Sequence, residues 1–174
     1  NNAALVIGGA LASGGAVALS HGRIVTILSA GNDAAKSFTV VGTDINGDAQ
    51  TESITGANAG TATGTTYFLT IASITAVGNP AGNVSAGVNA SAADVIFAGR
   101  SRLKGIYLTS TATAGTVDFL NSSPSGTSIM GLSSVGDADA TRDVVIPEEG
   151  VVFSNGIYVE YTVSTFLTMT VFHA

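Results

Sequence analysis

The sequence predicts an all-β chain: an antiparallel β-sandwich or barrel-like module over residues 1–98, followed by a second, smaller β module over residues 99–174. Three observations carry this. Short runs rich in Val, Ile, Thr, Phe and Tyr recur along the chain, separated by Gly, Asn, Asp and Ser. No stretch of a dozen residues combines a 3.6-residue apolar period with helix caps. Two Asn-Gly steps, Asn46-Gly47 and Asn155-Gly156, sit between such runs, where a hairpin turn of type I′ needs two residues with positive φ.

In chain order, strands are expected at residues 23–29, 37–43, 49–55, 67–77, 93–98, 102–109, 116–120, 128–132, 142–146, 150–153, 156–162 and 166–172. The alanine-rich start, residues 10–19, invites a helical turn. Its glycines argue against one, at about 1 kcal/mol each in a helix interior. Residues 37–43 and 49–55 form the plainest hairpin around Asp44-Ile45-Asn46-Gly47-Asp48. In it Phe38 and Val40 share one face, and Thr39, Val41 and Thr43 the other. Residues 67–77 are long for one strand and are expected to bend near Ala72-Ser73. Asn79-Pro80-Ala81-Gly82-Asn83 then turns the chain. Pro147-Glu148-Glu149-Gly150 reads as a β-turn opened by Pro and closed by Gly. Asn155-Gly156 should join residues 150–153 to 156–162 as a second hairpin. The module boundary is placed near Gly99, after which the strands shorten and Tyr107, Tyr158 and Tyr161 appear.

Composition removes several kinds of chemistry. With no Cys there is no disulfide scaffold, thiolate metal site or cysteine nucleophile. The two His, His21 and His173, stand far apart and suit neither a metal site nor a Ser-His-Asp triad. Six basic residues and a net charge of −6 argue against nucleic acid as a partner. The apolar start, residues 3–19, is interrupted by five glycines and serines, too many for a membrane span, and it lacks the basic flank of a secretion signal. No phosphate-cradling Gly-rich loop and no nucleophile elbow occurs. No cofactor, no metal and no catalytic residue is expected.

The sharpest constellation is Arg100, Arg102 and Lys104, half of the basic residues within five positions. In an extended chain they project from one face, opposite Ser101 and Leu103. Such a stripe suits docking against an acidic neighbouring subunit. The alternative is an edge strand that charge protects from aggregation. Asp137, Asp139 and Thr141 have the alternate spacing of a calcium loop, but the central Gly and closing Glu are missing, so a solvated loop is expected. Glu148 and Glu149 belong to a turn tip. Asp118 and Glu160 are carboxylates that cross-strand pairing would bring together, the arrangement a hydrolase would need.

Two stretches resemble virion structural proteins of tailed bacteriophages. The first covers residues 22–87, through Gly22-Arg23-Ile24-Val25-Thr26-Ile27, Ala30-Gly31-Asn32-Asp33, Phe38-Thr39-Val40-Val41-Gly42-Thr43-Asp44 and Phe68-Leu69-Thr70-Ile71. The second covers residues 102–173, through Leu103-Lys104-Gly105-Ile106-Tyr107, Gly115-Thr116-Val117-Asp118-Phe119, Ile146-Pro147-Glu148-Glu149-Gly150 and Phe153-Ser154-Asn155-Gly156. The resemblance implies a non-enzymatic head decoration, or cement, protein on the outer surface of the head. Its implied partners are the major capsid protein or other virion subunits and copies of itself, as a symmetric oligomer such as a trimer, with no membrane and no nucleic acid. The other role it implies is a head–tail, tail or fibre component with a β module that binds host glycans, through Tyr107, Tyr158 or Tyr161.

Overall fold

A computed structural model describes residues 3–8 and 12–174. Among them there is no helix. Fourteen strands follow one another: β1 (Ala3–Ala4), β2 (Ala12–Ser13), β3 (Ala16–Ser29), β4 (Ser37–Thr43), β5 (Ala49–Thr55), β6 (Thr61–Val77), β7 (Val84–Phe97), β8 (Ser101–Ser110), β9 (Gly115–Asn121), β10 (Thr127–Ser134), β11 (Thr141–Val145), β12 (Val151–Phe153), β13 (Ile157–Thr162) and β14 (Phe166–His173). The all-β class is as expected. Every strand pair with a resolved register is antiparallel, and no sheet closes into a barrel.

The chain divides into two compact units, Asn1–Asn89 and Ala90–Ala174. It passes between them inside β7, nine residues before the expected boundary near Gly99. Much of this strand, including Ser85, Ala86, Gly87, Asn89 and Ala90, has low β-propensity. Its extended form is imposed by pairing, so composition alone conceals it.

In the first unit β6 is the organiser. Residues 70–77 of β6 pair with β4, residues 61–71 pair with β3, and Ala76 and Thr75 pair with β1. The hairpin of β4 and β5 sets Phe38 and Val40 into a core with Val25, Ile27, Ile54, Phe68, Ile71 and Ile74, while Val41 is exposed. That is the face assignment read from the alternation. The turn differs from expectation. Asn46 does not have positive φ, whereas Gly47 does, at 89°. Asp44 accepts from the backbone N–H of Asn46 and Asp48, at 2.8 and 2.9 Å, and the Gly47 N–H reaches the Asp44 carbonyl. The result is a longer loop with Gly47 alone left-handed, since the Asp44 side chain holds its own backbone two residues on. The two-residue turn with both φ positive occurs instead at Gly14 and Gly15, between β2 and β3. Of the alanine-rich stretch, Ala10 and Leu11 lie outside the described residues. From Ala12 onward it is hairpin, its glycines being turn formers.

The bend expected near Ala72-Ser73 is a β-bulge. Val41 pairs with Ser73 and Gly42 with Ile71, which leaves Ala72 as an extra residue. The bulge drives the Thr70 carbonyl toward β4, where a Cβ on Gly42 would stand 1.9 Å from that oxygen. The next residue locks the junction: the Thr43 N–H and hydroxyl both meet the Thr70 hydroxyl, at 3.1 and 2.8 Å. Asp33, fully buried, ties three loops together. Its Oδ1 accepts from Ala81 N at 2.7 Å, its N–H donates to the Ala57 carbonyl, and its carbonyl accepts from Lys36 N.

The second unit is a sandwich. One sheet runs β10-β9-β13 and on to the end of β7. The other is centred on β8, with β11 and β12 along one side and β14 along the other. Leu103, Ile106, Leu108 and Phe153 from the second sheet meet Val117, Phe119, Ile157 and Val159 from the first. Asn155-Gly156 is not a hairpin turn, contrary to expectation. β12 pairs with β8 and β13 with β7 and β9, so the step carries the chain from one sheet to the other. Gly156 has φ 114° at that corner, and Asn121 supports it by accepting from Asn155 N at 3.0 Å.

Gly42→Ala is expected to destabilise the first unit by about 2–3 kcal/mol, because the neighbour it would strike is backbone. Phe38→Ala should cost about 3–5 kcal/mol through the cavity it leaves. Urea denaturation followed by circular dichroism checks both. A Gly42→Ala protein as stable as the wild type would contradict the close approach.

Candidate partner-binding surface

Arg102 and Lys104 of the charged stripe belong to β8, the central strand of its sheet, and Arg100 lies just before it. Ser101 and Leu103 are buried, and Arg102 and Lys104 lie on the other face, as their alternation requires. β14 then places Phe172 opposite Gly105 and His173 opposite Leu103, so Lys104 is an extra residue in a bulge. After it the phase changes. Ile106 and Leu108 point into the core, and Tyr107 faces outward at 40% exposure.

The outer face can be read from the register. Gly105 lies between Val145 of β11 and Phe172 of β14, which are 77% and 54% exposed. A Cβ on Gly105 would meet the Phe172 ring at 3.5 Å, so the ring rests against the glycine. The next row is Asp143, Tyr107 and Thr170, and beyond it lie Thr141, Thr109 and Thr168. Exposed Val152 stands opposite Arg102. This face therefore carries two aromatic rings and two valines in the open, which is more apolar surface than a sheet facing water ordinarily shows.

The cations behave differently from one another. Lys104 Nζ donates to the Glu148 carbonyl at 2.7 Å. Arg102 Nη1 donates to the Glu149 carbonyl at 3.2 Å, and its Nη2 lies 3.6 Å from the Glu149 carboxylate. Both thus fasten the turn Pro147–Gly150, itself closed by the Gly150 N–H on the Pro147 carbonyl at 3.2 Å. Glu148 holds φ 57° in that turn, a conformation that costs a non-glycine residue free energy and that the two cations help to maintain. Arg100 precedes the strand, in a bend, and is exposed. Among the described residues, Arg100 makes no hydrogen bond or ion pair. The edge-strand reading of the stripe is overturned: β8 has neighbours on both sides and needs no protection by charge.

The remaining sequence candidates separate. Tyr158 is 6% exposed, and the Tyr161 hydroxyl donates to Asp94 Oδ2 at 2.9 Å, so of the three tyrosines in this unit only Tyr107 is open. Asp118 and Glu160 stand directly opposite each other on β9 and β13, and Asp118 Oδ1 accepts from the Ser128 hydroxyl at 3.0 Å. Asp137 and Asp139 lie in a loop pinned through the backbone, where the Ser110 hydroxyl donates to the Asp137 carbonyl and Asp139 N donates to the Ser110 carbonyl. No group of three or more metal-ligating side chains forms among the described residues. The His173 ring packs against Phe97 at 5.2 Å and meets the Ser101 hydroxyl at 3.3 Å.

The first unit contains a cleft of about 660 Å³, walled by Leu5, Ile7, Val17, Leu19, Ile71 and Val84 among others. Among the described residues Ser85 supplies its one polar lining side chain, and no titratable group lines it. It offers shape and apolar contact and no acid–base chemistry. Sequence reasoning did not find it, because its walls come from four separated segments of ordinary aliphatic residues.

No protein-family model matches the chain, and neither a curated protein nor a solved structure matches it.

Lys104→Met removes the hold on the Glu148 carbonyl and should cost about 0.5–1.5 kcal/mol. Arg100→Ala should stay within about 0.5 kcal/mol of the wild type. Parallel urea titrations distinguish the two. Equal effects would contradict the division between fastening and free cations.

Proposed function

We propose that the protein is a non-enzymatic bacteriophage structural subunit, a decoration or cement protein that binds the outer surface of the assembled head. The observation that carries this reading is the outward face of β8, β11, β12 and β14, where Tyr107, Val145, Val152 and Phe172 stand exposed. Open apolar surface of this kind marks contact with another macromolecule. The resemblance of residues 22–87 and 102–173 to phage virion proteins supplies the partner class: the major capsid protein or a neighbouring virion subunit, together with copies of the same chain.

The mechanism is thermodynamic. A subunit that binds only the assembled shell lowers the free energy of that shell, by about 2.7 kcal/mol per site when its free concentration is a hundred times its Kd. Repetition over the lattice, and oligomerisation of the subunit, multiply weak contacts into durable attachment. The net charge of −6 keeps unattached copies soluble. Arg100, unengaged among the described residues, is the cation of the stripe left to meet an acidic neighbour, whereas Arg102 and Lys104 keep the adjoining turn in place. The fibre reading has less support, since Tyr158 is buried and the hydroxyl of half-buried Tyr161 is taken up by Asp94.

The test compares heads with and without the protein. Decorated heads should survive heating or osmotic shock that bursts undecorated ones, and Tyr107→Ser with Phe172→Ser should weaken attachment at least tenfold while leaving the fold intact. Equal survival of the two kinds of head removes the cementing role.

A further inference from the structure

Strand β14 is the outer strand of its sheet, and among the described residues it pairs only with β8. Its run is Phe-Leu-Thr-Met-Thr-Val-Phe-His: no Gly, no Pro and no Lys, Arg, Asp or Glu. Other outer strands carry features that discourage further pairing. β5 has Glu52, β11 has Arg142 and Asp143, β10 has a bulge between Ser128 and Met130 and a glycine at 131, and β12 is three residues long. β14 has no charge, glycine or proline along its length, its bulge at Leu167 lies near its start, and Leu167, Thr168, Thr170 and Phe172 are exposed along it.

Its hydrogen-bonding direction follows from one pair. Ala174 and Arg102 exchange both backbone bonds, at 2.8 and 3.0 Å. The bulge at Lys104 adds its residue to β8, so the alternation along β14 is unbroken there. Thr170 and Phe172 therefore turn their N–H and C=O groups toward β8, and Met169, Val171 and His173 turn theirs outward. An antiparallel partner must pair with those outward groups.

We propose that β14 pairs with β14 of a second copy about a two-fold axis at Thr170, joining two four-stranded sheets into one of eight. This rests on the assembly reading above and gives it a specific contact, two-fold where the sequence suggested a trimer. In this register Met169 of each copy exchanges backbone bonds with Val171 of the other. Thr170 faces Thr170, and Thr168 lies opposite Phe172. The hydroxyls meet at the axis, each Phe172 ring covers a threonine methyl, and no like charges are opposed. An axis at Val171 shortens the overlap to residues 169–173 of each strand, and an axis at Met169 sets the bulged Leu167 opposite Val171 within the hydrogen-bonded ladder. A two-fold contact uses the same surface on both copies and closes on itself, so it saturates an edge that would otherwise pair indefinitely.

The chain has no cysteine, so one introduced thiol reports the axis. At a non-hydrogen-bonded pair the Cα atoms lie about 4.5 Å apart, within the span a disulfide bridges. Under mild oxidation Thr170→Cys should convert to a covalent dimer, while Thr141→Cys on β11 should not. Thr170→Lys sets two cations against each other at the axis on an exposed position. It should keep the wild-type circular dichroism spectrum, yet elute with the mass of a monomer in light scattering where the wild type elutes as a dimer. The proposal is overturned by a monomeric wild type, by Thr170→Cys crosslinking no faster than Thr141→Cys, or by Thr170→Lys retaining the dimer mass. A wild-type oligomer that ignores both Thr170 substitutions sinks this contact and leaves the assembly reading standing. Heads indifferent to the protein, with the Thr170 results as expected, would do the reverse.

Discussion

Backbone hydrogen bonding between strands is the constraint on which the rest of this molecule depends. With charged residues at 10% and aromatics at 6%, few side chains are available to satisfy buried N–H and C=O groups or to fill large volumes. Extended segments pair wherever they can, even where Ala, Ser and Gly dominate, as along β7. Phenylalanines supply the bulk that remains: Phe38 and Phe68 in one core, Phe119 and Phe153 in the other. Close backbone approach is the complement of small side chains. At Gly42 a bulge in the neighbouring strand occupies the space a methyl group would need.

The same constraint explains what could be read from the amino-acid sequence. Where apolar and polar residues alternate strictly, as from Phe38 to Thr43, the strand, its partner and its buried face were all legible. The bend near Ala72 was legible too, since a run of that length seldom stays regular. Three features were hidden. β3 begins at Ala16 and β7 at Val84, in segments whose residues disfavour strands and are held extended by their neighbours. Asn155-Gly156 has the composition of a hairpin turn and serves as a corner between sheets, because strand partners are chosen by the core and not by the turn. At Asn46-Gly47 the side chain of Asp44 captured the backbone first and altered the turn.

The candidate surface was legible in its residues and not in their roles. Arg102 and Lys104 share a face, as two-residue spacing demands. Their bonds to the carbonyls of Glu148 and Glu149 depend on a turn more than forty residues away, which no local pattern encodes. Tyr107 is exposed for a similar reason: the bulge at Lys104 resets which positions of β8 face outward, and a bulge leaves no reliable trace in composition. What emerges is a division within one sheet. Cations at one end keep a strained turn in place, and the centre and far edge present apolar side chains and unused backbone groups to the surroundings.

The account stands or falls on whether that far edge is satisfied by another chain. Amide hydrogen exchange reads this directly, because an N–H without a partner exchanges with solvent at a rate that association would suppress. The decisive comparison is the Met169 and Val171 amides of β14 against those of β8 at low and high protein concentration. The account predicts fast exchange of the β14 pair in dilute solution and strong protection in concentrated solution, with β8 protected throughout. Protection of Met169 and Val171 that is the same at every concentration, whether high or low, would contradict it.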